Sequence, residues 1–202
     1  MSSMPPTLPL NIELPIVISP QQQQQLSAFV RLVLKWNQVY NLTAVHDINR
    51  LYTHHVADSL SVAPYIQGPR VLDFGTGAGF PGIPLAIALP QHEFILLDSN
   101  NKKVRFVTQV KLELGLKNVK VVHSRGEAYF PPEKVVTVIT RAVGNISKLA
   151  PLLQGFCEPG GQLLFMVGKI NPEDHLSQGN ITIIPLALPG LEEQRHLVRW
   201  PC

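Results

Sequence analysis

The stretch Arg70-Val71-Leu72-Asp73-Phe74-Gly75-Thr76-Gly77-Ala78-Gly79-Phe80-Pro81-Gly82 has the residue types needed to hold a ligand against the main chain. Apolar residues lead into a glycine-rich turn, and glycine lets a ligand approach backbone with no Cβ in the way. A helix beginning at that turn offers its first N–H groups to a ligand carrying acceptors or negative charge. Asp98 follows Gly79 by nineteen residues, at the end of the next apolar run, Glu93–Leu97. An acid in that place can bind the two hydroxyls of a ribose, so the expected ligand contains a nucleoside.

Two cofactors compete for the turn. Gly77-Ala78-Gly79-Phe80-Pro81-Gly82 fits the dinucleotide pattern G-x-G-x-x-G, a weak signal by itself. It would make the chain an NAD-dependent oxidoreductase. The longer stretch also reads Asp-x-Gly-x-Gly-x-Gly from Asp73, and this resembles the S-adenosylmethionine loop of class I methyltransferases. Charge favours the second reading. Asp73 lies beside the place where a pyrophosphate would rest, and a carboxylate there would repel it. An ammonium and a sulfonium suit it better, directly or through water.

Methyl transfer from a sulfonium is an in-line displacement, so the enzyme chiefly aligns donor and acceptor. Amino-group methyltransferases carry an Asn/Asp-Pro-Pro-aromatic turn after the fourth strand; here Arg141-Ala142-Val143-Gly144 stands there, and Pro131-Pro132 precedes the strand. Base-carbon methyltransferases need a thiolate, but Cys157 falls in a predicted helix and Cys202 is the last residue. An acceptor that needs neither feature remains. A lone pair such as purine N7 fits, because no proton must leave before attack and no general base is required.

These residues must be positioned by a regular scaffold. Arg70 onward alternates short apolar runs with helical stretches. Val71–Phe74, Phe94–Leu97, Val119–Val122, Val135–Thr140 and Gln162–Val167 are predicted strands; Gly82–Leu89, Lys102–Leu114 and Ile146–Phe156 are predicted helices. This alternation implies an α/β fold with a parallel sheet and helices on both faces. Ile181–Leu186 and Arg195–Trp200 are strand-like, and the short Leu188-Pro189-Gly190-Leu191 loop between them predicts an antiparallel pair. The outline is a Rossmann-like sheet of seven strands, the last antiparallel.

Ahead of the sheet, Ser19 and Pro20 form a helix start, and Leu26, Phe29, Val30, Val33 and Tyr40 follow helical spacing. A second helix is predicted from Asp47, with Ile48, Leu51, Tyr52, His55, Val56 and Ser59 on one face and Pro64 at its end. The expected organisation is an irregular segment 1–18, a helical extension 19–66 and a methyltransferase domain 67–202, the last two forming one unit. Hydrophobic residues are 45% of the 202, enough for a core without metal or disulfides. The two cysteines suggest a reduced, cytoplasmic setting. Met1–Ser19 has no basic region before an apolar run, so no signal peptide is expected, and no apolar stretch predicts a membrane span. A net charge of +3 favours an anionic partner only mildly.

A wider set of residues carries a closer resemblance. Lys35-Trp36-Asn37, Tyr40-Asn41-Leu42-Thr43, His55 with Asp58-Ser59, Asp73–Gly82, Leu97-Asp98-Ser99, Lys103–Phe106, Ser124-Arg125, Arg141-Ala142 and Arg195-His196-Leu197 together resemble the ribosomal RNA small subunit methyltransferase G family, also called glucose-inhibited division protein B. The resemblance spans about residues 19–200. It implies S-adenosyl-L-methionine as donor and N7 of guanosine 527 in 16S ribosomal RNA as acceptor, in RNA or a small-subunit precursor particle, by a cytoplasmic monomer without metal. A non-catalytic RNA-binding module on the same fold is the other alternative.

Carried over by position, Gly75, Gly77, Gly79 and Phe80, with Asp73 ahead of them, line the methionine end of the cofactor. Asp98 holds the ribose, Gly126 and Glu127 sit near the adenine, and Arg141 closes the site. Asn41, His55, Arg125, Arg141 and Arg195 are the candidates for acting on the target guanine and nearby phosphates. Two positions depart from the family. His54-His55 stands where Arg-His is usual, which should weaken RNA contact slightly; Gly168-Lys169 replaces Lys-Gly after the fifth strand. Other roles compete at some positions: packing for Trp36, Tyr40 and His55, helix capping for Asn41, and a solvated helix face for Lys102, Lys103 and Arg105.

Overall fold

The computed structural model describes residues 14–141, 144–170, 180–188 and 193–202. Helix α1 (Pro20–Tyr40) starts in a capping box: the Ser19 hydroxyl accepts from Gln22 N, and the Gln22 side chain accepts from Ser19 N. The glutamine run does more than fill a helix. Gln22 Nε2 donates to the Ile87 and Ala88 carbonyls, and Gln25 Nε2 donates to the Leu114 carbonyl. Helix α1 is thereby strapped to the ends of two helices of the α/β unit.

The helix expected from Asp47 forms in three pieces. Asp47 caps α2 (Ile48–Leu51), a π-helical stretch covers Tyr52–Ala57, and α3 (Asp58–Leu60) follows. The strands are β1 (Arg70–Phe74), β2 (Glu93–Asp98), β3 (Val119–His123), β4 (Val135–Arg141), β5 (Cys157–Val167), β6 (Thr182–Pro185) and β7 (His196–Pro201). Between them run α4 (Gly82–Ala88), α5 (Asn101–Glu113) and α6 (Ile146–Gln154). The sheet order is β3-β2-β1-β4-β5-β7-β6, with β1 to β5 parallel and β7 antiparallel to both of its neighbours.

Strands β1, β2, β4, β5 and β7 divide their side chains between two cores. Val71, Phe94, Leu96, Ile139, Leu164 and Leu197 face α1, α4 and α5; Leu72, Ile95, Leu97, Val138, Leu163 and Val198 face α6. Burial on both faces explains why these strands read as continuous apolar runs. Among the described residues no helix is long and apolar enough to cross a membrane. Residues 1–13 of the expected irregular segment, Ala142 of the Arg-Ala pair, and Pro189, Gly190 and Leu191 lie outside the described residues.

Two expectations are corrected. Helix α6 stops at Gln154, and Cys157 is the first residue of β5, not part of a helix. The cysteines are bonded to each other, with Cα atoms 6.4 Å apart. The antiparallel return of β7 explains this. It brings Cys202 back to the start of β5, where Cys202 N donates to Gly161 O and Gly160 N donates to Cys202 O. The bond spans a separation of 45 residues. Reduction with dithiothreitol, followed by urea unfolding, should therefore lower the unfolding free energy by about 2–4 kcal/mol, and Cys157→Ser should remove that difference.

Candidate active site

The turn from β1 to α4 is held from behind by Asp73. Its side chain is fully buried, and Oδ2 accepts from the Thr76 hydroxyl (2.6 Å) and from Gly82 N (2.9 Å). A Cβ on Gly82 would lie 2.6 Å from that oxygen, which is why glycine stands there. Burial raises the Asp73 carboxyl to about 6, against the bonds from Thr76 and Gly82 and the charge of Arg141. Its Oδ1 has no partner among the described residues.

Asp98 holds the turn from the side. Oδ2 accepts from Gly77 N (2.8 Å) and Oδ1 from Asn100 N (2.8 Å), while Leu97 O accepts from Gly75 N and Thr76 N. Gly75 has a φ of 71°, and nothing lies within 4 Å of where its Cβ would be. The backbone is thus open to a ligand in front of the turn. A small cleft there is lined by Phe74, Gly75, Leu97, Asp98, Ser99, Ser124 and Gly126. Glycine loop, acid and cleft form one wall at the carboxyl end of the strands, where open α/β sheets bind their ligands.

A second wall faces it across Phe80. This ring is buried, packs on Phe29 at 5.0 Å and stacks on His55 at 4.8 Å, with the Arg141 guanidinium 5.2 Å from its centre. His55 comes from the π-helical stretch; its Nε2 pairs with the Thr43 hydroxyl (3.1 Å), and its Nδ1 is buried with no partner among the described residues. Burial first, then the electrostatic influence of Arg141, His54 and Arg195, lowers His55 to about 3, so the ring is neutral at pH 7. Asp58 Oδ2 lies 3.4 Å from Arg141 Nη1, and Asp58 Oδ1 lies 3.6 Å from Arg195 Nε. Burial pushes Asp58 up and the two guanidiniums oppose it. His54 Nε2 and Arg195 Nη2 both approach Glu193 Oε2, at 3.4 and 3.9 Å.

The structure brings the expected site residues together in two groups. Gly75, Gly77, Asp98 and Gly126 share the cleft wall; Phe80, His55, Arg141 and Arg195 share the other. Gly79 supports the loop from inside, its N–H donating to Thr76 O. Arg125 and Glu127 are exposed beyond β3, and no contact among the described residues joins Arg125 to the arginine wall. Asn41 is exposed and ends α1 in the left-handed conformation (φ 49°), and Lys169 is exposed. Trp36 packs on Tyr40 and on Phe106.

Sequence reasoning gave no role to Asp58, Asn37 or Thr43. Asn37 is buried and organises the Asn-Leu-Thr loop: Oδ1 accepts from Thr43 N (2.9 Å), and Nδ2 reaches Val45 O and His46. The signal was its spacing, since Asn37 continues the stripe Phe29, Val30, Val33. Asp58 gave a similar signal, an acid placed a helical turn after His54 and His55 beside buried Val56 and Ala57. No His/Cys/Asp/Glu cluster among the described residues could hold a metal ion.

Residues 22–198 match the family described as GidB, rRNA small subunit methyltransferase G. The chain is 44% identical over 189 residues to the ribosomal RNA small subunit methyltransferase G of Nitrosococcus oceani, covering 91% of this chain and 88% of that protein. The protein of that name from Coxiella burnetii is 42% identical over 178 residues, covering 87% of each. Among solved structures, an S-adenosylmethionine-dependent methyltransferase from Aquifex aeolicus superposes with a TM-score of 0.58 at 19% identity, over 79% of this chain and 96% of that one. A tRNA (m1A58) methyltransferase from the same organism gives 0.57 at 18% identity, over 71% and 67%. Both share the fold.

The environment of His55 sets a pH response. Its folded value near 3 lies below the ordinary 6.5, so acidification below 6.5 protonates the unfolded chain first and lowers stability down to about 3. Asp73 acts the other way: raised from 3.8 to about 6, it adds stability at low pH that is lost as pH rises through 6. The NMR ring signals of His55 should stay flat from pH 8 to 5. His55→Asn should reduce the loss of urea stability between pH 6.5 and 4.

Proposed function

The chain belongs to the rRNA small subunit methyltransferase G family, and from that premise we propose that it methylates N7 of guanosine 527 in 16S ribosomal RNA. S-adenosyl-L-methionine is the proposed donor, and a small-subunit particle or its precursor RNA the proposed substrate. The observation that carries this reading is the meeting of the two walls at Phe80. One wall leaves backbone and a carboxylate open to a nucleoside; the other sets two guanidiniums and a neutral imidazole beside it.

The open space before Gly75 fits a ligand pressed against backbone, and Asp98 keeps lone pairs for ribose hydroxyls after accepting two N–H groups. We assign Gly75, Gly77, Gly79, Phe80, Asp98, Gly126 and Glu127 to the donor. Asp73 contributes differently from a direct ligand: buried behind the loop, it places negative charge where a sulfonium is favoured and a diphosphate is not. Bound S-adenosyl-L-methionine supplies an electrophilic methyl group.

On the acceptor side, Arg141 and Arg195 offer N–H groups to guanine O6 and to phosphates, and Asn41 and Arg125 extend the RNA contact from either side. His55 stays neutral and, stacked on Phe80 and paired with the Thr43 hydroxyl, supports the ring that lies between donor and base. Guanine N7 attacks with its own lone pair, so alignment is the whole task of these residues and none must remove a proton first. Phosphate contacts make RNA binding salt-dependent.

Two variants separate the walls. Asp98→Ala should weaken binding of S-adenosylhomocysteine by about tenfold or more in calorimetry. Arg195→Ala should leave that binding within about twofold while methyl transfer to small-subunit particles from cells lacking the protein falls roughly 100-fold. Borohydride and aniline cleavage of the labelled RNA should map the product to guanosine 527. Label at another atom, or equal loss of cofactor binding in both variants, would overturn the assignment.

A further inference from the structure

Asp58 stands between the two arginines of the acceptor wall and belongs to neither of their strands. It is the first residue of α3, directly after the π-helical stretch, and its side chain is only 5% exposed. Arg141 ends β4, and Arg195 immediately precedes β7, with β5 between those strands. Each arginine uses a different oxygen of the carboxylate: Arg141 Nη1 meets Oδ2, and Arg195 Nε meets Oδ1. This is a bridge, unlike the bidentate fork that commits two donors of one guanidinium to one carboxylate. A guanidinium carries five N–H donors, so the bridge engages one nitrogen of each head, by a long hydrogen bond to Arg141 and by an ion pair without a hydrogen bond to Arg195.

Without the Asp58 carboxylate, two like charges would share a largely buried space, with the more exposed Glu193 carboxylate, 3.9 Å from Arg195 Nη2, touching only one of them, and they would separate. Backbone contacts do not replace it. Arg141 Nη1 also donates weakly to His54 O (3.4 Å), and Arg195 Nη1 donates to Gln194 O, next to it in the chain. The Phe80 ring lies beneath Arg141, so any shift of that head also disturbs the ring between the two walls.

We propose that Asp58 is a positioning residue for methyl transfer, holding the guanidiniums of Arg141 and Arg195 at a fixed separation before the RNA arrives. It rests on the reading that these two arginines act on the RNA. Asp58 touches neither substrate nor cofactor in this role; it acts through the arginines.

The test compares kcat and KM for unmethylated small-subunit particles with S-adenosylhomocysteine affinity in the same preparations. Asp58→Asn should lower kcat by about 20-fold or more, as expected when reacting groups are misplaced by about 1 Å. Particle KM and cofactor affinity should stay within about threefold, a split that a general loss of folded protein would not give. Asp58→Glu keeps the charge and should recover kcat to within about fivefold of wild type. The Asp58→Asn/Arg195→Ala double variant should be no worse than the weaker single, the mark of residues that act as one unit. Should Asp58→Asn not fold, Asp58→Ser takes its place: a kcat reduced about 20-fold or more with intact cofactor binding, and recovery in Asp58→Glu, supports the role. Wild-type kcat in every folded Asp58 variant, with Arg195→Ala inactive, overturns it. Loss of cofactor affinity in step with kcat overturns it too. Full activity of Arg195→Ala removes the functional reading itself, and this inference with it.

Discussion

One carboxylate oxygen, Asp73 Oδ2, accepts both the Thr76 hydroxyl and Gly82 N, and the crossing from β1 to α4 is built on those two bonds. They draw the turn inward around a buried acid. The bend leaves Gly75 facing open space, brings Gly77 N to Asp98 and sends Phe80 to the far side of the loop. A carboxylate with no exposure is expensive to keep ionised, and its raised value shows the balance between burial and the bonds that oppose it. The loop's shape and the electrostatic preference of the cleft therefore share a cause.

The second wall is organised by charge in place of backbone bonds. Two guanidiniums, one buried acid and a neutral imidazole are packed around Phe80, and they come from three separate parts of the sequence. The family's small-subunit RNA is a polyanion, and the charge that this wall adds beside Phe80 is carried by two guanidiniums. Phe80 belongs to the loop by sequence and to the arginine wall by contact, so the halves cannot move independently at that ring.

Much of this was legible in the residues. Apolar runs alternating with helical stretches gave the strands, because a parallel sheet buried on both faces needs β residues throughout. The short connection before Arg195 gave the antiparallel end of the sheet. Local spacing could not show which distant residues meet. Asp58 reads as one polar residue of a helix until β4 and β7 bring their arginines to it. The bond between Cys157 and Cys202 depends on the return path of β7 past the start of β5. The π-helical stretch at Tyr52–Ala57 differs from an α-helix only by one step in its hydrogen bonds, and no residue pattern announces it.

The position of β7 between β5 and β6 bears on how the molecule comes together. The glycine loop, Asp98 and Gly126 are drawn from β1 to β3 and the turn beyond, neighbours in sequence as well as in space. Arg195 of the arginine wall stands ahead of a strand that lies between β5 and β6, and its contact with Asp58 closes a very long loop of chain. The two walls thus differ in how far along the chain their contacts reach. The glycine-loop wall rests on pairings between neighbouring strands, whereas the arginine wall rests on contacts between distant parts of the chain, the kind whose closure entropy slows folding.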